Sequence, residues 1–199
     1  MRTLSVLAIL TLTLFLCAGA VAAPLTGGST SVTLTDEIVA TNPNLGLIGT
    51  ATLSGATVSF PITGGEADPA TLAGTFEHAG SGLSLTDGGV TLSVENLLVD
   101  TVQGLIFADI VLNGTMAGNA PVLAIGSGLE LTLTAPAIAA LSSAFNLAPA
   151  DLEGLVIGTA SIAPEFDDTA PIPEPSTWMM LLTGMAAVGL GRRAFQKKA

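Results

Sequence analysis

His78 is the only histidine in the chain and Cys17 the only cysteine. His78 follows Phe76-Glu77 and precedes Ala79-Gly80-Ser81-Gly82, a pattern that reads as a strand end running into a glycine turn. As a general base it would need a nucleophile to activate and an acid to orient it. Glu77, Asp87 and several serines are present, but no G-x-S-x-G elbow accompanies them. No catalytic residue is assigned, and the body of the chain reads as non-enzymatic. Cys17 lies in an apolar leader, so the residues after it hold no disulfide, no cysteine metal site and no thiol nucleophile. Glu165 with Asp167-Asp168 could attract Ca²⁺, but the spacings of EF-hand and RTX loops are absent. These acids read as a solvated stalk. No metal site and no cofactor are assigned.

The distribution of charge is unusual. The five basic residues are Arg2, Arg192, Arg193, Lys197 and Lys198, and all 16 acidic residues lie between Thr3 and Gly191. Nucleic-acid binding requires cations that displace counterions, which excludes it for this body. Carboxylates there must meet water, a backbone N–H, a hydroxyl or a bound cation rather than a salt-bridge partner. Mutual repulsion among them would raise their pKa values. The expectation is therefore that the melting temperature climbs with salt and as pH falls toward the isoelectric point of about 4.1.

The first 22 residues have the order of an export signal. Arg2 is the charged start, and Leu4 to Leu16 is an apolar run too short to span a bilayer comfortably. Ala20-Val21-Ala22 is a small-x-small cleavage site. The expected cut follows Ala22 and leaves Ala23 as the new terminus. Signal peptidase and the Sec translocon are the implied partners.

The other end carries three elements in order. Pro171, Pro173 and Pro175 enforce an extended strip. Trp178 then opens an uncharged stretch, expected as a membrane helix over 178–191, which at about 1.5 Å per residue covers roughly two-thirds of a hydrocarbon core. Arg192 and Arg193 act as the membrane stop, and residues 192–199 form a basic cytoplasmic tail. With an export signal in front, the body would lie outside the membrane and the tail inside.

Residues 171–195 resemble the PEP-CTERM sorting signal of Gram-negative bacteria. Pro173-Glu174-Pro175, Ser176-Thr177-Trp178, the short apolar helix and Arg192-Arg193 carry the likeness. The resemblance implies recognition by exosortase, a membrane protease or transpeptidase. It would cut near Pro173, Glu174 and Pro175 and release or transfer the body to the cell surface or an exopolysaccharide-rich matrix.

Between the signals, strand patterns dominate. Ser31–Thr35, Ala56–Ile62, Gly89–Val94 and Gly128–Thr134 alternate in polarity. Leu105–Leu112 is a more buried run in which Asp109 faces outward, and Leu155–Ile162 is the last strand. Turns are expected at Gly64-Gly65, Asp87-Gly88-Gly89 and Asn113-Gly114, the latter two with hairpin chemistry. Asn113-Gly114-Thr115 also matches a glycosylation sequon, but a turn explains it better. One helix follows Thr134 as cap and Pro136 in the first turn, with Ile138, Leu141 and Phe145 on its apolar face. Asp151–Gly154 reads as a further turn. The expected fold is mainly β, a single antiparallel β-sandwich or barrel with one short helix. It occupies residues 23–162, followed by a Pro-rich acidic stalk at 163–175.

A second resemblance covers Asp68 to Ser161. Gly88–Asn96, Leu131–Thr134 before an alanine-rich helix with Phe145, and Ile157-Gly158-Thr159-Ala160 are similar to HtaA-type haem-binding domains of bacterial surface proteins. The resemblance implies a β-rich fold and haem ligation by tyrosine assisted by histidine. The chain contains no tyrosine, so no ligand position is carried over. Two functions follow as expectations. One is a non-enzymatic surface or matrix protein associated with extracellular polysaccharide. The other is a surface module for haem, Ca²⁺ or a glycan, delivered by the same route.

Overall fold

The computed structural model describes residues 22–36, 38 and 44–167. The expected export leader, the Pro-Glu-Pro motif, the apolar stretch 178–191 expected as a membrane helix and the basic C-terminal residues lie outside the described residues. Ala22–Ala170 forms one compact unit. Among the described residues no helix is long and apolar enough to cross a membrane.

The elements are β1 (Ala23–Leu34), β2 (Leu45–Gly49), β3 (Thr52–Ser54), β4 (Thr57–Pro61), β5 (Gly64–Ala67), β6 (Gly74–Asp87), β7 (Val90–Asp100), β8 (Leu105–Leu112), β9 (Thr115–Ile125), a 3₁₀ turn (Ser127–Leu129), β10 (Glu130–Leu133), α1 (Ala135–Phe145), α2 (Pro149–Leu152) and β11 (Val156–Phe166). The mainly β expectation holds, in one antiparallel sheet rather than two stacked ones. Neighbours run β11-β10-β9-β8-β7-β6-β5-β1, and β1 also pairs with β11, so the pairings close on themselves. The β4–β3 hairpin continues from β1, and β2 lies beside the second half of β6.

Two hairpins form where their turn chemistry required. Asp87 pairs with Val90 around Gly88 and Gly89, both at positive φ (55° and 83°). Leu112 pairs with Thr115 around Asn113 and Gly114, at φ 49° and 77°. These are the angles for which Asp-Gly and Asn-Gly are selected. The helix begins as expected: the Thr134 side chain accepts from the Ala137 N–H, and proline occupies the first turn. Leu141 and Phe145 pack on the core as expected, joined by Ala140 and Ala144. Ala137 is the fully buried residue of the helix, and Ile138, half-buried like its neighbours, is not part of the core cluster.

Other expectations are corrected. Gly64-Gly65 is not a turn but the start of β5, paired with Glu77 and Phe76 of β6. A Cβ on Gly65 would lie 2.1 Å from the Thr75 carbonyl oxygen, so glycine here permits strand approach rather than chain reversal. Among the described residues α2 adds a helix besides α1; it takes in Asp151 and Leu152 from the stretch expected as a turn, while Glu153 and Gly154 form the turn as expected. The stalk begins later than expected, because Ala163 to Phe166 still pair with β1.

The largest correction concerns His78. β6 does not end there but runs fourteen residues through a bulge. His78 pairs with Leu97 and Gly82 with Glu95, leaving Ala79-Gly80-Ser81 opposite Asn96 alone. Side chains meet the backbone groups freed by the interruption. Asn96 Oδ1 accepts from the Gly80 N–H at 2.8 Å, Thr63 Oγ1 accepts from the Ala79 N–H at 2.9 Å, and the Ser81 hydroxyl donates to the His78 carbonyl at 3.1 Å. The glycine-rich stretch thus shifts the phase of a continuing strand. Before the bulge Phe76 and His78 face inward; after it Ser81, Leu83 and Leu85 do so.

Candidate functional site

The ring of strands surrounds a cavity of about 630 Å³. β1, β6, β7, β8, β9, β10 and β11 all contribute side chains, and α1 contributes Ala137, Leu141 and Phe145. Leucine, isoleucine, valine and phenylalanine dominate the wall. Its size lies within the range of small-molecule sites, roughly 300–1,000 Å³. One end is deeply buried, around Thr30, Phe60, His78 and Val99. The other reaches the surface at Asn44, Thr86, Asp87 and Leu147.

Two polar atoms in the buried part have no partner among the described residues, His78 Nε2 and Thr30 Oγ1. Both side chains line the cavity, with His78 only 1% and Thr30 only 2% exposed. They share the surroundings of Phe60. Thr30 is its direct partner across β1 and β4, and the Phe60 ring meets the imidazole edge-on with centroids 6.3 Å apart. The other ring nitrogen of His78, Nδ1, lies 2.9 Å from the Pro61 carbonyl oxygen. A carbonyl can only accept, so Nδ1 carries the proton and Nε2 of the neutral ring is an open acceptor. Burial pushes the His78 pKa below its ordinary value, and the backbone carbonyls of Pro61 and Phe60 only partly offset this. The imidazole is therefore neutral at pH 7. An unmet buried polar atom costs about 1–3 kcal/mol, which a suitably placed ligand atom can recover.

Asp109 faces outward from β8, as expected. Its oxygens accept from Asn96 Nδ2 at 3.0 Å and Asn119 Nδ2 at 2.9 Å, and these two amides hold its pKa below the ordinary value. Asn113 supports the hairpin, its Oδ1 accepting from the Thr91 N–H at 2.9 Å. Among the described residues no group of three or more His, Cys, Asp or Glu is placed to share a metal ion. Glu165 lies in β11, and Asp168 lies outside the described residues, as do Ala20, Pro173, Glu174, Pro175, Arg192 and Arg193. Ala22 is exposed immediately before β1, and Ala23 is the first residue of that strand.

The sequence reasoning did not find the cavity or the inward position of His78. One signal was available: Thr75-Phe76-Glu77-His78 alternates polar and apolar or aromatic residues, which puts His78 on the same face as Phe76.

No family model matches the sequence, and no curated protein matches it significantly. Among solved structures the chain is similar to the C-terminal domain of HtaA from Corynebacterium glutamicum. Sequence identity is 17%, the TM-score is 0.52, and the match covers 73% of this chain and 99% of that one. The likeness establishes a shared fold. It agrees with the resemblance read from the strand patterns and puts the chain in the class of β-rich domains built like that one.

The ligand set implied for haem does not fit this cavity. There is no tyrosine, and between Thr3 and Gly191 there is no lysine or arginine to meet the two carboxylates of a porphyrin. His78 Nε2 alone has the chemistry of an iron ligand.

Proposed function

We propose that this chain is an exported, non-enzymatic surface protein whose folded domain binds a small apolar molecule. One observation carries the reading: a cavity of about 630 Å³ with an apolar wall and two unmet polar atoms at its buried end. A domain with a purely mechanical role in a matrix gains nothing from such a cavity, since filled interiors are more stable than hollow ones. The apolar wall also argues against the glycan and Ca²⁺ alternatives within the cavity, because sugar hydroxyls or a hydrated cation would be stripped of water without replacement.

Delivery follows the two terminal signals. Signal peptidase cuts after Ala22, and exosortase processes the Pro173-Glu174-Pro175 segment. The body then reaches the cell surface or the polysaccharide matrix of a Gram-negative bacterium. The start of β1 at Ala23 supports this, because a cut after Ala22 leaves the strand whole. So does the last described strand ending at Phe166, ahead of the Pro173-Glu174-Pro175 motif in the chain.

Two measurements test the proposal. Native mass spectrometry of the protein as it accumulates in its host should show a mature terminus at Ala23, loss of Lys197 and Lys198, and a larger membrane-bound form when exosortase is deleted. Retention of both lysines in wild-type cells would leave only a plain tail anchor. For the binding function, a neutral fluorescent probe such as N-phenyl-1-naphthylamine should bind saturably with one site per chain. Non-saturable, surface-like binding would return the domain to a structural role.

A further inference from the structure

The buried end of the cavity restricts what chemistry can enter it. His78 Nε2 presents a lone pair and no proton, because the proton sits on Nδ1 against the Pro61 carbonyl. An incoming group must donate a hydrogen bond to satisfy it. A carboxylate or phosphate offers only lone pairs and would face Nε2 acceptor to acceptor. No lysine or arginine exists between Thr3 and Gly191 to compensate an anion. An ammonium could donate, but its charge would be buried among Phe60, Val99, Ile106 and Val122, and the lining carboxylate, Asp87, is exposed at the far end. An uncharged hydroxyl suits the orphan nitrogen. It donates to Nε2 without any charge being buried, once the side chains around the nitrogen, which has almost no accessible surface, move aside to admit it.

Resting on the binding function proposed above, we propose that the cavity selects uncharged apolar alcohols or phenols. They enter hydroxyl first, with the hydroxyl donating to Nε2 of His78 near Thr30 and the hydrocarbon body lying along the wall toward the Asn44–Leu147 end. The bulge in β6 makes this possible. It lets a single strand present His78 at the buried end and, one phase later, Leu83 and Leu85 along the hydrocarbon path. A regular strand holding His78 inward would turn both leucines to the outside.

The test uses the protein as its host accumulates it, stripped of bound lipid and titrated separately with pyrene, 1-pyrenemethanol and 1-pyrenecarboxylate at pH 8, with binding read by fluorescence. Pyrenemethanol should bind tightest and the carboxylate weakest. In His78→Phe the preference for pyrenemethanol over pyrene should shrink by roughly tenfold, the scale of one buried hydrogen bond. Thr30→Val, which keeps shape and deletes the hydroxyl, should shrink it by a smaller factor and serves if His78→Phe does not fold. Equal affinity for pyrene and pyrenemethanol, or a preference unchanged in both variants, would overturn hydroxyl selection while leaving apolar binding intact. Tightest binding of the carboxylate would overturn it as well. Failure of all three probes to bind would instead remove the binding function on which the inference rests.

Discussion

Four buried polar side chains divide into two pairs that behave differently. Asp68 and Asp100 are each 8% exposed and sit at strand ends. Asp68 Oδ1 accepts from the Ala70 and Thr71 N–H groups at 2.7 and 3.2 Å. Asp100 Oδ1 accepts from the Val102 and Gln103 N–H groups at 3.0 and 2.8 Å, and its Oδ2 accepts from the Gln103 side chain. His78 and Thr30 are buried more deeply, yet each leaves an atom unmet at the wall of a cavity. The carboxylates replace the cations that the body lacks with backbone N–H groups, and so hold the two turns that follow them. The unmet pair holds no turn. The two carboxylates are satisfied by neighbouring N–H groups, whereas His78 Nε2 and Thr30 Oγ1, on side chains that line the cavity, have no partner among the described residues.

The contrast can be broken most severely at Asp100. Asp100→Ala should cost about 2 kcal/mol, because two N–H groups lose their acceptor near the protein interior. Urea unfolding measures it, and a loss below about 0.5 kcal/mol would mean that the turn stands without its carboxylate.

Acidification comes next, and its sign differs from the expectation built on carboxylate repulsion alone. The folded chain holds His78 neutral while the unfolded chain binds a proton below about pH 6.5. The contribution is therefore complete above about pH 6.5 and is lost as pH falls below it through the depressed folded pKa. Asp109, whose pKa is also lowered, contributes stability that is lost only at more acid pH, through its own folded pKa. Both groups face amide donors or an apolar wall rather than another carboxylate, so both act against the expected gain. The melting temperature should fall between pH 7.5 and 5.5, and His78→Phe should flatten that fall. A rise over this range in the unaltered protein would restore the repulsion argument.

A smaller effect is expected for Thr30→Val at pH 8, within about 1 kcal/mol of the unaltered chain, since replacing an unmet polar group by an apolar one of similar shape is close to neutral. His78→Phe should instead cost about 1–2 kcal/mol, because the Pro61 carbonyl loses the Nδ1–H that it accepts. A loss of about 3 kcal/mol in calorimetry would show that these atoms support the fold after all. Salt should raise the melting temperature slightly, as the Debye length contracts from about 30 Å at 0.01 M to about 10 Å at 0.1 M. Millimolar Ca²⁺ should do no more than NaCl of equal ionic strength, and a saturable excess would reveal a carboxylate site. Haem is expected to bind weakly at most. A sharp Soret band at stoichiometric haem that disappears in His78→Ala would make Nε2 an iron ligand and displace the alcohol proposal.

Local chemistry made the antiparallel β-class legible, along with β8, the two hairpins at Asp87–Val90 and Leu112–Thr115, and the capped start of α1. In each case a short motif fixes its own backbone angles or satisfies its own N–H groups, whatever surrounds it. The proposed export and sorting segments rest on order and composition along the chain alone and lie outside the described residues. The same local logic misread Gly64-Gly65 and Ala79-Gly80-Ser81-Gly82 as breaks. A glycine run is compatible with a turn, a bulge or a close strand contact, and only the partner strand decides among them. For β6 the deciding partners are Asn96, sixteen residues beyond Gly80, and Thr63, sixteen residues before Ala79. The cavity was legible in no segment at all. It exists because the pairing of β1 with β11, across more than a hundred residues of chain, closes the sheet around side chains too few to fill its centre. Sequence determined which residues are apolar and which one is a histidine. Closure determined that they face a common space and that Nε2 of that histidine has no hydrogen-bond partner among the described residues.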